Sequence, residues 1–144
     1  MTYYKIENTL PQIPQELLLA PHEVLQTENH WRGALKTYSI HKTTPELAEF
    51  LQPHFDFKIQ VWYQAMTTGM HVHRDQRPFA YNYLLCDGGQ VATSWYDEDE
   101  TTVLSSVIFP VETWHWLNTH IPHAISEPKR DQVRIALTLW EADA

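Results

Sequence analysis

The chain has 144 residues, 18 of them acidic against 10 basic, for a formal net charge of −8. That is the size of one domain able to bury a real core, and an acidic chain without a Lys/Arg block is a poor match for a phosphate backbone, so no nucleic-acid partner is expected. A lone cysteine, Cys86, excludes an intramolecular disulfide and a cysteine-based zinc site, and it reads as a small buried hydrophobe.

The opening MTYYKIENTL lacks the basic-then-apolar pattern of a secretory leader, and no apolar run approaches bilayer-spanning length. A cytoplasmic protein with no membrane partner is the expectation. IPQELLLAPHEVLQ (13–26) holds a short helical turn, but Pro21 prevents one long helix. GALKTYSI (33–40) alternates weakly, as a strand would. TTPELAEFLQPHF (43–55) is the clearest helix: Thr44 caps it, Pro45 suits its first turn, Leu47, Phe50 and Leu51 share a face, and Pro53 marks its end.

From residue 57 the pattern changes to strands. FKIQVWYQAM (57–66), MHVHRD, FAYNYLLC (79–86), QVATSWY (90–96), TVLSSVIF (102–109), TWHWLN, HAIS and QVRIALTLW (132–140) follow one another at the spacing of a β-sandwich or barrel. DGG is a strong turn, and DEDE (97–100) reads as a solvated hairpin tip. About eight short strands predict a mainly β chain, a double-stranded β-helix or jelly roll, with a small N-terminal helical cap. The expected organisation is a single domain over 1–144, with a cap region over 1–56 and a jelly-roll core over 57–140.

GMHVHRDQRP (69–78) sets His71, His73 and Asp75 at alternate positions, which on a strand project the same way. Neighbours two apart lie roughly 7 Å apart, close enough to share an ion, whereas His71 and Asp75 are twice as far. The choice is therefore His71 with His73, or His73 with Asp75. A His-x-His pair would suit a cupin, but no glutamate follows the pair before Glu98 to complete one. His73 with Asp75 would suit the two-histidine, one-carboxylate arrangement of non-haem Fe(II) enzymes, given a second histidine far along the chain. His115, His120 and His123 are available. His123, which begins the strand HAIS, is preferred, His120 is its rival, and His115 and His120 are expected at the rim. Arg134 follows 11 residues after His123, with Ala136 and Thr138 on its face of the strand, opposite Val133, Ile135, Leu137 and Leu139. A guanidinium so placed needs an anion and grips a carboxylate with two hydrogen bonds. The competing reading pairs Arg134 with Glu127 or Asp131 across the turn.

HRD at 73–75, PHAI at 122–125 and RIALTL at 134–139 together resemble the Fe(II)/2-oxoglutarate-dependent dioxygenases, over roughly residues 57–140. RPFAYNYLLCDGGQVATSWY is similar to the strand pair after the His-x-Asp motif in small stand-alone members of the aspartyl and prolyl hydroxylase type. The resemblance implies that His73, Asp75 and His123 ligate Fe(II) and that Arg134 binds the distal carboxylate of 2-oxoglutarate. Asn82, an amide in an aromatic strand, would support the cosubstrate or a ligating carboxylate. The implied activity is hydroxylation of an amino-acid side chain, free or in a polypeptide, with release of succinate and CO2. The partner is then a small-molecule or peptide substrate. Gln60, Trp62 and Gln64, and Thr93 with Trp95, are candidate pocket lining. The alternatives are a cupin-type metal protein using His71 and His73, and a non-catalytic jelly-roll binding module.

Overall fold

The computed structural model describes residues 1–27, 29–32 and 38–143, the stretch 29–32 through its backbone alone. Residues 1–56 supply the two helices of the expected cap and also three strands. β1 (Tyr4–Ile6) comes first, then a 3-10 turn (Gln15–Leu17) and α1 (Pro21–Gln26), whose break from the turn falls at Pro21. β2 (Asn29–Arg32) and β3 (Tyr38–Lys42) precede α2 (Pro45–Leu51). The strand expected over 33–40 lies outside the described residues up to 37 and forms β3 from Tyr38 onward. Thr44 caps α2 by accepting a hydrogen bond from the Leu47 N–H, and Leu47 and Leu51 are fully buried.

The rest of the chain is strand: β4 (Ile59–Met66), β5 (Met70–His73), β6 (Phe79–Asp87), β7 (Thr93–Tyr96), β8 (Val103–Val107), β9 (Trp114–Asn118), β10 (His123–Ile125) and β11 (Arg134–Glu141). Among the described residues these form two antiparallel sheets. One runs β1-β9-β6-β11-β4-β3-β2 and the other β5-β10-β7-β8. The eight strands expected beyond residue 57 are therefore present as β4 to β11. β1, β2 and β3 of the first 56 residues extend the large sheet, because β1 pairs with β9 and β3 with β4.

The two faces of the large sheet carry different chemistry, and period-two alternation assigns them. On β11, Ile135, Leu137 and Leu139 are fully buried against Tyr63, Val61, Leu47, Leu51 and Val24, so the two helices cover this outer face. Arg134, Ala136, Thr138 and Trp140 point the other way, toward the small sheet. Their cross-strand neighbours on β4 are Met66, Gln64, Trp62 and Gln60. A strand covered on both faces would ordinarily be apolar on both. Here the inner face carries amides, a hydroxyl and a cation, which marks it as the wall of a polar cavity rather than of a dry core.

Candidate metal centre and its cavity

The small sheet brings the two histidines together. β10 pairs with β5 so that His123 lies opposite His73, and their rings sit with centroids 4.5 Å apart. β5 ends at His73, and Asp75 lies in the loop beyond it. That loop is held down by the Asp75 N–H, which donates to the Thr119 carbonyl at 2.9 Å. An Asp75 carboxylate oxygen stands 3.4 Å from His73 Nε2. One ligand atom from each of His73, Asp75 and His123 lies within 4.8 Å of the other two. Adjacent ligand atoms bound at about 2.1 Å to an octahedral ion stand about 3 Å apart, so small side-chain rotations suffice to close these three on one cation.

The hydrogen bonds around the rings fix which nitrogen is bare. His73 Nδ1–H donates to the His71 carbonyl at 2.8 Å, and His123 Nδ1–H donates to the Ile121 carbonyl at 2.7 Å. A carbonyl can only accept, so each ring carries its proton on Nδ1 and leaves the Nε2 lone pair for a ligand. A two-histidine, one-carboxylate donor set with both tautomers fixed fits a divalent transition metal.

The protonation balance follows from the same contacts. Burial pulls His73 down, but its hydrogen bonds to Asp75 and to the His71 carbonyl, with the Asp75 charge, more than offset this and leave it above its ordinary value. Burial pushes the Asp75 carboxyl up, and the His73 hydrogen bond, the charges of His123 and His73 and that of Arg77 bring it below the ordinary value. His123 is lowered, chiefly by burial, and so stands neutral and ready to coordinate.

These residues open onto a cavity of about 1050 Å³ between the sheets. Arg134 lines it, 2 % exposed, and burial lowers its ordinarily very high pKa to about 10. Among the described residues its one hydrogen bond is a weak one, from Nη1 to Met66 Sδ at 3.9 Å, and no carboxylate pairs with it. The ion pair with Glu127 or Asp131 is thereby ruled out: Asp131 is exposed and lies 4.0 Å from Arg130. Asn82, Gln60, Gln64, Trp62, Thr93 and Trp95 line the same cavity, as the alternation indicates. Asn82 faces Thr138 across the strand pair, and its amide makes no hydrogen bond to Asp75.

The other candidate histidines lie elsewhere. His71 is exposed, its ring centroid 6.2 Å from that of His73, and it is not part of the converging group. His120 is exposed. His115 is 2 % exposed and packs on Phe109 with ring centroids 4.2 Å apart, so the rim position expected for it is corrected to the core. The sequence reading missed the Thr119 clamp and also Arg77, whose guanidinium carbon lies 3.7 Å above the centre of the Trp140 ring at the edge of the cavity. Trp140 was detectable as the next cavity-facing member of the series Arg134, Ala136, Thr138. Nothing in the sequence pointed to Thr119.

No protein-family model and no curated protein matches the sequence. Solved structures do match. A variant of Bacillus subtilis oxalate decarboxylase is 9 % identical with a TM-score of 0.54, over 90 % of this chain and 34 % of that one. Fe(II) HppE in complex with its substrate is 13 % identical with a TM-score of 0.51, over 85 % of this chain and 58 % of that one. Vicilin from hazelnut, Corylus avellana, is 11 % identical with a TM-score of 0.52, over 81 % and 31 %. The chain therefore spans roughly a third to three-fifths of the solved chains it matches. At such identities the likeness shows the fold alone: this is a double-stranded β-helix, or jelly roll.

Proposed function

We propose that the chain is an Fe(II)/2-oxoglutarate-dependent oxygenase that hydroxylates an amino-acid side chain, free or in a polypeptide, with release of succinate and CO2. One observation carries the reading. A two-histidine, one-carboxylate donor set and a buried guanidinium with no carboxylate partner among the described residues open into the same cavity. His73, Asp75 and His123 would hold the iron through Nε2, a carboxylate oxygen and Nε2. Three protein ligands leave room at an octahedral ion for a bidentate 2-keto acid and for O2. The bound metal would supply the oxidising chemistry, in which one oxygen atom enters succinate and the other the substrate C–H bond.

The chain's own part is binding and exclusion. Arg134 would grip the distal carboxylate of 2-oxoglutarate with two charge-assisted hydrogen bonds, which gives a buried cation the anion it otherwise lacks. Thr138 and Asn82, opposite each other on the cavity wall, offer further polar contacts. Trp62 and Trp95 form apolar walls that limit water around the reacting carbon. The test is succinate formation by the Fe(II)-loaded protein under air, with candidate amino acids and peptides. Fe(II)-dependent succinate that rises with a substrate supports the reading. A metal-loaded protein with no affinity for 2-oxoglutarate removes it.

A second reading draws on the metal enzymes among the structural neighbours, an iron(II) protein and a decarboxylase with Mn(II) centres. In it the same ligands hold iron or manganese, and Arg134 binds an anionic group of the substrate itself. Metal binding would then be unaffected by 2-oxoglutarate.

A further inference from the structure

Arg134 is the first cavity-lining residue of β11, and Trp140 lies six positions further along the same face. At about 3.4 Å per residue the strand separates them by roughly 20 Å. A five-carbon diacid held by Arg134 occupies only part of that length. At the far end stands a second guanidinium, that of Arg77.

The loop backbone that carries Arg77 is anchored, and its exposed guanidinium rests on the Trp140 ring. Thr119, 4 % exposed, donates from its hydroxyl to the Arg77 backbone carbonyl at 2.9 Å and accepts the Asp75 backbone N–H on its own carbonyl at 2.9 Å. One buried threonine therefore ties the backbone at Asp75 and at Arg77 to a common point. The guanidinium over the Trp140 face spends no N–H on that contact, since the ring attracts the cation through its π surface. Its in-plane donors remain available for a carboxylate. Among the described residues Arg77 has no ion pair, whereas the neighbouring Arg74 is paired with Glu98. Glu141 and Asp143 line the same end of the cavity and likewise have no cationic partner among the described residues.

We propose that this end of the cavity binds a free amino acid, its carboxylate on the Arg77 guanidinium over Trp140 and its ammonium group facing Glu141 and Asp143, with its side chain turned toward His73, Asp75 and His123. The fate of that side chain rests on the oxygenase reading; the binding of the zwitterion does not. An internal residue of a polypeptide offers neither charge and would leave both sets of groups without partners. A phosphorylated ligand would carry excess negative charge past the two acidic residues.

The experiment is saturation-transfer NMR on the full chain with the standard amino acids, each compared with its carboxamide and its N-acetyl derivative. Spectra are taken with diamagnetic Zn(II) and saturating 2-oxoglutarate, and again on Arg134→Gln protein without either, so that Arg134 cannot be the source of the signal. One or more free amino acids should bind, and amidation or N-acetylation should weaken binding about tenfold or more, as loss of a charge-assisted contact does. Arg77→Gln should weaken the free acid to the level of its amide, with Arg77→Lys in between. Equal binding of the amide, unchanged affinity in Arg77→Gln, or no amino acid bound by either protein would overturn the proposal. If Arg77→Gln does not fold, the comparison of derivatives on the unaltered chain decides it. Failure to bind Zn(II) or 2-oxoglutarate while amino acids still bind would remove the oxygenase reading and leave this one standing.

Discussion

Arg134→Met should make the metal-free protein more stable and at the same time worse at binding 2-oxoglutarate. Burial alone lowers the pKa of this cation from its ordinarily very high value to about 10. At 1.36 kcal/mol for each pH unit, that corresponds to about 3 kcal/mol of destabilisation carried by the folded chain. The arginine is charged in both states at neutral pH, so the effect is present throughout the range from pH 5 to 9 and does not titrate there. Methionine keeps much of the aliphatic stem and has no charge to bury. Allowing for the lost Met66 contact, the net gain should be about 1 to 3 kcal/mol, or roughly 3 to 10 °C in Tm for a chain of this size. The same change removes a charge-assisted contact of about 1.5 to 3 kcal/mol from the cosubstrate, which weakens Kd by about 10-fold to 150-fold. Differential scanning calorimetry and titration with 2-oxoglutarate, both on the Mn(II)-loaded and the metal-free protein, read the two effects. A fall in apo Tm with unchanged 2-oxoglutarate affinity would refute the reasoning and return Arg134 to a structural role.

His73→Ala and Asp75→Ala should each abolish tight Mn(II) binding in a calorimetric titration, while the exposed His71→Ala keeps most of it. Loss of binding in His71→Ala with retention in Asp75→Ala would favour the cupin-type ligand set. Mn(II) affinity should fall as the pH drops through the His73 value, which lies above its ordinary 6.5, because protons then compete for Nε2. His115 and His123 are both lowered below 6.5, chiefly by burial, so the unfolded chain takes up protons first. Their contribution to stability is complete above about pH 6.5 and is lost as the pH falls through the folded values; urea titrations between pH 5 and 8 measure it. Gly69→Ala places a Cβ 2.9 Å from the Ile125 carbonyl and 3.0 Å from the Glu127 N–H, both backbone. It should cost about 1 to 3 kcal/mol and loosen the β5–β10 pairing that sets His73 against His123, seen as lower Tm and weaker Mn(II) binding.

Much of the fold was legible because period-two alternation is a strong signal over long strands. On β11, Arg134, Ala136 and Thr138 separate cleanly from Ile135, Leu137 and Leu139, and the structure puts Arg134 and Thr138 in the cavity, Ala136 against Trp95 on the same face, and the second set under the helices. The helix over 45–51 was equally plain, since its cap and its buried face are both local. The strands of the first 56 residues were not, apart from the one read over 33–40. β1 has three residues and takes its place from pairing with β9, more than a hundred positions away, so no local pattern reports it. The site divides in the same way. His73 and Asp75 were visible as neighbours in sequence, and His123 through its distance from an arginine on a strand. The depth of His115 was hidden, because WHWLN is apolar on both faces and does not say which side meets Phe109. The loop position of Asp75, held by Thr119, is a tertiary fact with no local signature.

The most direct measurement is the visible difference spectrum of anaerobic protein titrated first with Fe(II) and then with 2-oxoglutarate. A weak charge-transfer band should appear only when both are present. It should be lost in Asp75→Ala and should require far more 2-oxoglutarate in Arg134→Met. Iron binding without a spectral response to 2-oxoglutarate at any concentration would contradict the oxygenase assignment.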